Sequence, residues 1–273
     1  MPKLENRGPV IFRKAAQSTL ATLLAVTMWG LPKMARAQSE AISSSAEQYR
    51  SEKSWAMEFR MGPYRPDIDG ESRFSNLPEE QRPHQLYFGS KQRLLTQAEL
   101  DYQIFNGFGS LALGVSAGYF RETAKAFIES TADTAKPVAS GDGTRLMLLP
   151  TSLALVYRFD VAAVRWGIPV VPYAKAGLDW VYWSITNGNG QIANDGKGGK
   201  GKGDATGYHT AAGLSLLLDV FDQGAAQEFD AETGVNHTYI FVEVAHYVLN
   251  GLGSKAQPRL GDTTWSAGFM FEF

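Results

Sequence analysis

From residue 54 onward, hydrophobic and polar positions alternate with a period of two along most of the chain. That period sends successive side chains to opposite faces of a β-strand. Over 54–63, Trp55, Met57, Phe59 and Met61 share one face, against Ala56, Glu58, Arg60 and Gly62. Over 93–105, Leu94, Ala98, Leu100, Tyr102 and Ile104 oppose Gln97, Glu99, Asp101 and Gln103. A tight turn at 106–109 leads into a third segment, where Leu111, Leu113, Val115, Ala117 and Tyr119 oppose Ala112, Gly114, Ser116 and Gly118. The fourth segment, 145–160, is more continuously apolar, is disturbed by Pro150, and has Thr151, Ser152 and Arg158 as its polar members. Over 171–185, Ala174, Ala176, Leu178, Trp180 and Tyr182 oppose Lys175, Gly177 and Asp179. The sixth segment, 206–219, sets Thr210, Ala212, Leu214, Leu216 and Leu218 against His209, Ala211, Gly213, Ser215 and Leu217. Over 238–248, Ile240, Val242 and Val244 oppose Tyr239, Phe241, Glu243 and Ala245. The eighth begins at Asp262 and ends with Trp265, Ala267, Phe269, Phe271 and Phe273 on one face.

The connections alternate as well. Long ones are expected at 65–92, 121–143, 186–205 and 249–261, and shorter ones at 106–109 and 160–169. The exception is 220–236, where a helical turn is expected. An even number of strands, with long loops at one end and shorter turns at the other, is the pattern of a bacterial outer-membrane barrel. A soluble sandwich gives no reason for that alternation. It would also leave the aromatic terminal strand as an exposed edge, which invites aggregation. The fold class expected is therefore all-β, an eight-stranded antiparallel up-and-down transmembrane barrel over 54–273. In it the last strand pairs with the first, and Trp265, Phe269, Phe271 and Phe273 face lipid. Both termini are expected in the periplasm.

The N-terminus supports an exported protein. Lys3, Arg7, Arg13 and Lys14 form a basic region, residues 20–31 an apolar core, and Ala35-Arg36-Ala37 a small-x-small cleavage site. This predicts a signal peptide over 1–37, since the apolar core is shorter than the ~20 residues of a spanning helix. Residues 38–53 are polar and Ser-rich, and read as a flexible mature N-terminus. Of 26 basic residues six lie in the signal segment, against one of 28 acidic ones, leaving 20 basic and 27 acidic residues. That balance points away from nucleic acid. The absence of cysteine excludes disulfides, thiol nucleophiles, cysteine-ligated metals and a lipoprotein anchor.

The inward faces carry the candidate chemistry. Glu58, Arg60, Glu99, Asp101, Arg158, Lys175, Asp179 and Glu243 put five acidic and three basic groups in the lumen. An eight-stranded barrel is just wide enough for its own side chains. The expectation is a salt-bridged plug, because buried charges must be paired. The alternative is a narrow passive channel lined by the same residues. A membrane-embedded lipid-modifying enzyme would need His209 beside an inward serine, Ser116 or Ser215, and an orienting carboxylate. No G-x-S-x-G motif supports it, and no cofactor or metal is implied. Asp230 and Glu232 before Gly234 lack the acidic ladder of a calcium loop and read as a helix-capping connection. The glycine-rich 187–204 lacks a P-loop and reads as an outer loop. Its Lys197, Lys200 and Lys202 are candidates for contact with lipopolysaccharide phosphates.

Several stretches together resemble a family of small outer-membrane β-barrel proteins of myxobacteria and their relatives: RMGPYRPDID at 60–69, FGSKQRLLTQAELDYQIFNGFGSLALGVSAGYF at 88–120, VPYAKAGLDWVYW at 171–183, and DQGAAQEFDAETGVNHTYIFVE at 222–243. The resemblance implies an outer-membrane barrel, with no catalytic residues and no settled biochemical role to carry over. The terminal strand ending in Phe273 also resembles the signal by which the barrel-assembly machinery recognises its clients. The function expected is a structural or surface-interaction scaffold displaying four outer loops, with outer-membrane lipids as its surroundings and no ligand named.

Overall fold

The computed structural model describes residues 54–128, 138–194, 199–254 and 257–273, with only the backbone described at 126–128, 138–142 and 164–165. The signal-peptide segment 1–37, the polar segment 38–53 and Lys197 lie outside the described residues.

Eight strands form one closed antiparallel barrel in sequence order: β1 (Trp55–Tyr64), β2 (Arg93–Gly107), β3 (Gly109–Ile128), β4 (Val138–Arg158), β5 (Val170–Thr186), β6 (Lys202–Leu217), β7 (His237–Leu249) and β8 (Asp262–Glu272). Closure joins β1 to β8 over Ala56↔Glu272 to Met61↔Ala267. Beyond the last strand residue, Phe273 and Trp55 exchange backbone hydrogen bonds of 2.9 Å each. Phe273 thus continues the β1–β8 seam beyond the last strand residue.

Among the described residues, three α-helices lie in connections: α1 (Pro83–Phe88), α2 (Val161–Trp166) and α3 (Gln223–Thr233). None among the described residues is long and apolar enough to cross a membrane. The helical turn expected in 220–236 is α3. Asp222 caps it by accepting from the Ala225 N–H at 2.9 Å, and Gly234 closes it in the left-handed region. Asp230 thereby gives its carbonyl to the Gly234 N–H, the capping role expected of that stretch.

The alternation at each strand becomes an inside and an outside. Outward positions are apolar and open: Val115 is 59 % exposed, Leu178 64 % and Phe269 54 %. Outward aromatics gather toward the two ends of this band. Trp55, Tyr102 and Tyr157 lie near the short-turn end, and Tyr119, Trp180, Tyr208 and Trp265 near the loop end. Leu113, Val115, Leu153 and Leu155 lie between.

One expectation is corrected. The connection placed at 121–143 is mostly strand: β3 runs on to Ile128 and β4 starts at Val138, pairing from Phe120↔Leu148 to Ile128↔Val138 around one irregularity. β2 leaves β3 at Leu95↔Phe120, and β5 leaves β4 at Arg145↔Thr186. The β3–β4 hairpin therefore projects beyond its neighbours at the loop end. The turn expected at 160–169 likewise holds a helix, α2.

Candidate functional site: the packed lumen and its mouth

The lumen is filled in layers. Nearest the short turns, Ala56, Val171, Tyr173, Tyr239, Phe241 and Met270 form an apolar floor. Tyr239 donates to Glu272 at 3.2 Å there, and Gln103 reaches the other oxygen of that carboxylate at 3.4 Å.

Above the floor lies the charge cluster. Glu58 and Glu99 are directly opposite on β1 and β2, so two like charges meet across one strand pair. Lys175 from β5 reaches between them, with Nζ 2.5 Å from Glu58 and 2.9 Å from Glu99. Arg60 bonds Glu99 at 2.6 Å and lies 3.5 Å from Glu58 and 3.7 Å from Glu243. Arg158 bonds Glu58 at 2.7 Å and also Asp101. Lys175 approaches Glu243 at 3.7 Å. All seven side chains are buried. The carboxylates of Glu58, Glu99 and Asp101 come within 4.8 Å of one another, close enough for a metal ion. Arg60, Arg158 and Lys175 already supply the positive charge there.

Glycine makes room for this packing. Gly114 faces inward on β3, and a Cβ there would collide with the Asp101 carboxylate and come within 3.1 Å of Glu99.

Asp179, expected in the same set, stands apart. It bonds His209 Nδ1 at 2.9 Å, and the imidazole lies against the Tyr247 ring at 5.4 Å. Strand parity sets the face a residue takes but not its height. Asp179 is four residues above Lys175 on β5, beyond reach of the cluster. The serines weighed for catalysis are engaged elsewhere. Ser116 bonds Ser152 at 2.6 Å, and Ser215 donates to the Val171 carbonyl at 3.1 Å. Neither makes a hydrogen bond to His209, so neither serine joins the imidazole–carboxylate pair as the sequence reading of catalysis requires.

The mouth is closed by groups the alternation did not single out. Tyr64, Phe120, Leu146, Leu148, Leu249 and Leu260 form an upper apolar layer. The first loop folds back over it. Pro83 starts α1, and Asp69 accepts from the His84 and Gln85 N–H groups at 2.7 and 2.8 Å, satisfying two free donors of the first turn. The helix carries His84 into the mouth, stacked on Phe88 and 3.1 Å from Glu122 of β3. Arg93 flanks the same carboxylate at 3.4 Å. Extending the third segment's alternation past Tyr119 would have placed Glu122 inward. Nothing local marks His84, whose partner comes from another element.

Outside this lid, the first and last loops enclose an open cleft of about 600 Å³ lined by Arg65, Asp67, Asp69, Arg82, Arg259 and Asp262 among others. Its charges are largely paired: Arg259 bonds Asp67 at 2.8 Å, and Arg65 lies 3.8 Å from Asp69. Lys200 and Lys202 are exposed, at the entry to β6.

No family model matches the chain, and no curated protein matches it. Solved structures similar to it include the attachment invasion locus protein Ail of Yersinia pestis, in complex with the heparin analogue sucrose octasulfate (11% identity, 81% of this chain and 97% of that one, TM-score 0.36). Neisserial surface protein A is another, at 13% identity over 82% of this chain and 98% of that one, with a TM-score of 0.43. A major outer membrane protein from Thermus thermophilus is similar at 9% identity, over 82% of this chain and 100% of that one, with a TM-score of 0.42.

Proposed function

We propose that this protein is an integral outer-membrane barrel, non-enzymatic and non-conducting, that holds structured loops at the cell surface as an interaction scaffold. The observation that carries the reading is the contrast across one wall: an apolar outer face 41 % exposed at Leu113 and a lumen whose charges are buried and mutually paired. Backbone closed on itself, with apolar side chains outward, is one of two ways to satisfy every peptide group in a bilayer. The start of β1 and the end of β8 lie at the short-turn end, and that end is assigned to the periplasm. The loops 65–92, 187–201 and 250–261 and the β3–β4 hairpin then face outside. The terminal strand, with Trp265, Phe269, Phe271 and Phe273, serves as the signal for the barrel-assembly machinery. The passive-channel reading is disfavoured because Lys175 of β5 and Arg158 of β4 reach across the lumen to Glu58 of β1, with apolar layers above and below them.

The test is reconstitution in a planar bilayer, alongside amine labelling of intact cells. The reading expects no discrete conductance steps and expects label at Lys125 and Lys200, both exposed. Steady ohmic steps from the folded protein would favour a channel. Label absent from both lysines in intact cells would invert the orientation.

A further inference from the structure

The outward face of the β3–β4 hairpin carries a charge arrangement that the scaffold reading leaves unexplained. Tyr119 is the last outward aromatic on β3 among the described side chains. The next outward positions are Arg121, Thr123 and Lys125, all exposed. Opposite them on β4 stand Met147, Arg145 and Gly143. Arg145 faces Thr123 directly, so Arg121 and Lys125 are its two diagonal neighbours. Diagonal side chains on adjacent strands are ~7–8 Å apart at the backbone, well within the reach of long side chains. Three cations thus share one patch with no carboxylate among those six positions. None of the three forms an ion pair with another described residue. Lys202 extends the basic line on the outward face of β6, where it pairs with Ser184.

Like charges on neighbouring strands repel and destabilise the sheet, which an anion held between them reverses. Height names the anion. Arg121 follows Tyr119 by two residues, about 7 Å along the strand. Outward aromatics mark the boundary between hydrocarbon and headgroups. The cations begin where headgroup phosphates lie, and guanidinium groups bind phosphate through paired hydrogen bonds.

We propose that Arg121, Lys125 and Arg145 form a binding site for the phosphate groups of a membrane glycolipid of the lipopolysaccharide type, seated against the outer wall of the barrel. The site rests on the membrane reading above. It assigns the lipid contact to the β3–β4 hairpin, with Lys202 at its margin, rather than to the glycine-rich loop alone.

The full-length folded barrel in detergent micelles is titrated with bisphosphorylated lipid A, with the same lipid after enzymatic removal of its phosphates, and with inorganic phosphate. Bound lipid is counted by native mass spectrometry. The variants are Arg121→Gln/Arg145→Gln and a charge-matched control, Arg73→Gln/Arg82→Gln, in the first loop. The site predicts that the hairpin variant loses lipid A affinity by about tenfold or more, as expected for lost charge-assisted hydrogen bonds. The control should match wild type, and dephosphorylated lipid should bind wild type no better than it binds the hairpin variant. Equal affinity in the hairpin variant, an equal loss in the control, or undiminished binding of dephosphorylated lipid overturns the site. Displacement by inorganic phosphate at the concentration of the lipid would mean a free-anion site and overturns the lipid assignment. Heat-modifiable gel migration after mixing with vesicles separates the two levels. A wild-type chain that never inserts overturns the membrane reading and the site with it. A chain that inserts yet binds lipid A equally as wild type and hairpin variant overturns the site alone.

Discussion

Leu113 and Gly114 are consecutive residues of β3 and belong to different environments. Leu113 projects from the wall among other aliphatic side chains. Gly114 lies so close to Asp101 and Glu99 that it has no room for a methyl group. The same division runs along β1, where exposed Phe59 separates buried Glu58 from buried Arg60. What differs is the solvent each face was built for. The outer face repeats one apolar chemistry and depends little on which aliphatic residue stands where. The inner face is a specific assembly, in which each cation answers particular carboxylates on other strands. A one-residue slip of any strand would exchange the two faces, so the charge cluster also fixes register.

The largest effect is expected where that assembly is broken on one side. Lys175→Met leaves Glu58, Glu99 and Glu243 with Arg60 as the one remaining cation that approaches all three. It should cost about 3–5 kcal/mol, the penalty for removing one partner of a buried ion pair. Urea titration of the barrel refolded into lipid measures it. Adding Glu99→Gln to Lys175→Met should recover part of the loss, because one uncompensated charge goes with it. A double variant no better than the single would mean that the cluster is not electrostatically coupled.

Next is the outer face. Leu113→Arg should destabilise the barrel by roughly 2–4 kcal/mol near the bilayer midplane, in the same titration. Leu113→Ile should fall within about 1.5 kcal/mol as a volume-conserving swap. Equal tolerance of Arg at position 113 and at exposed position 125 would erase the distinction between apolar wall and polar hairpin.

A smaller effect belongs to the lid. His84→Ala removes one hydrogen bond to Glu122 and should cost about 1–3 kcal/mol through the buried carboxylate it leaves. Amide exchange should quicken in α1 before it changes in β1 or β8. Uniform acceleration across the barrel would mean that the lid is part of the core. The smallest effect is expected at the exposed polar helix: Gln227→Ala in α3 should stay within about 0.5 kcal/mol.

Much of the wall was legible in the sequence because period-two alternation names faces without knowledge of partners. Each of the eight segments held strand, and Glu58, Glu99 and Lys175 could be placed inside from parity alone. The charge pairing could not be read, because it depends on strand height. Parity put Asp179 on the same face as Lys175, yet register brings it to His209. The projecting hairpin was hidden for a different reason. Beyond Tyr119 the outward face turns polar, so Arg121, Thr123 and Lys125 reverse the apolar-outward rule while the backbone continues as strand. The lid was opaque because Asp69 caps a helix that starts well beyond it in the chain, at Pro83, and the helix's His84 is held by a strand from elsewhere.

The claim on which the rest depends is that the apolar wall meets lipid, and the chain has no cysteine to complicate a label scan. Nitroxide labels placed singly at 113, 115, 153 and 155 in vesicle-reconstituted protein should relax readily with dissolved oxygen and poorly with a water-soluble nickel chelate. Position 125, on the projecting hairpin, should show the opposite preference. Free access of the nickel chelate to all four wall positions, with no contrast against position 125, would contradict the account.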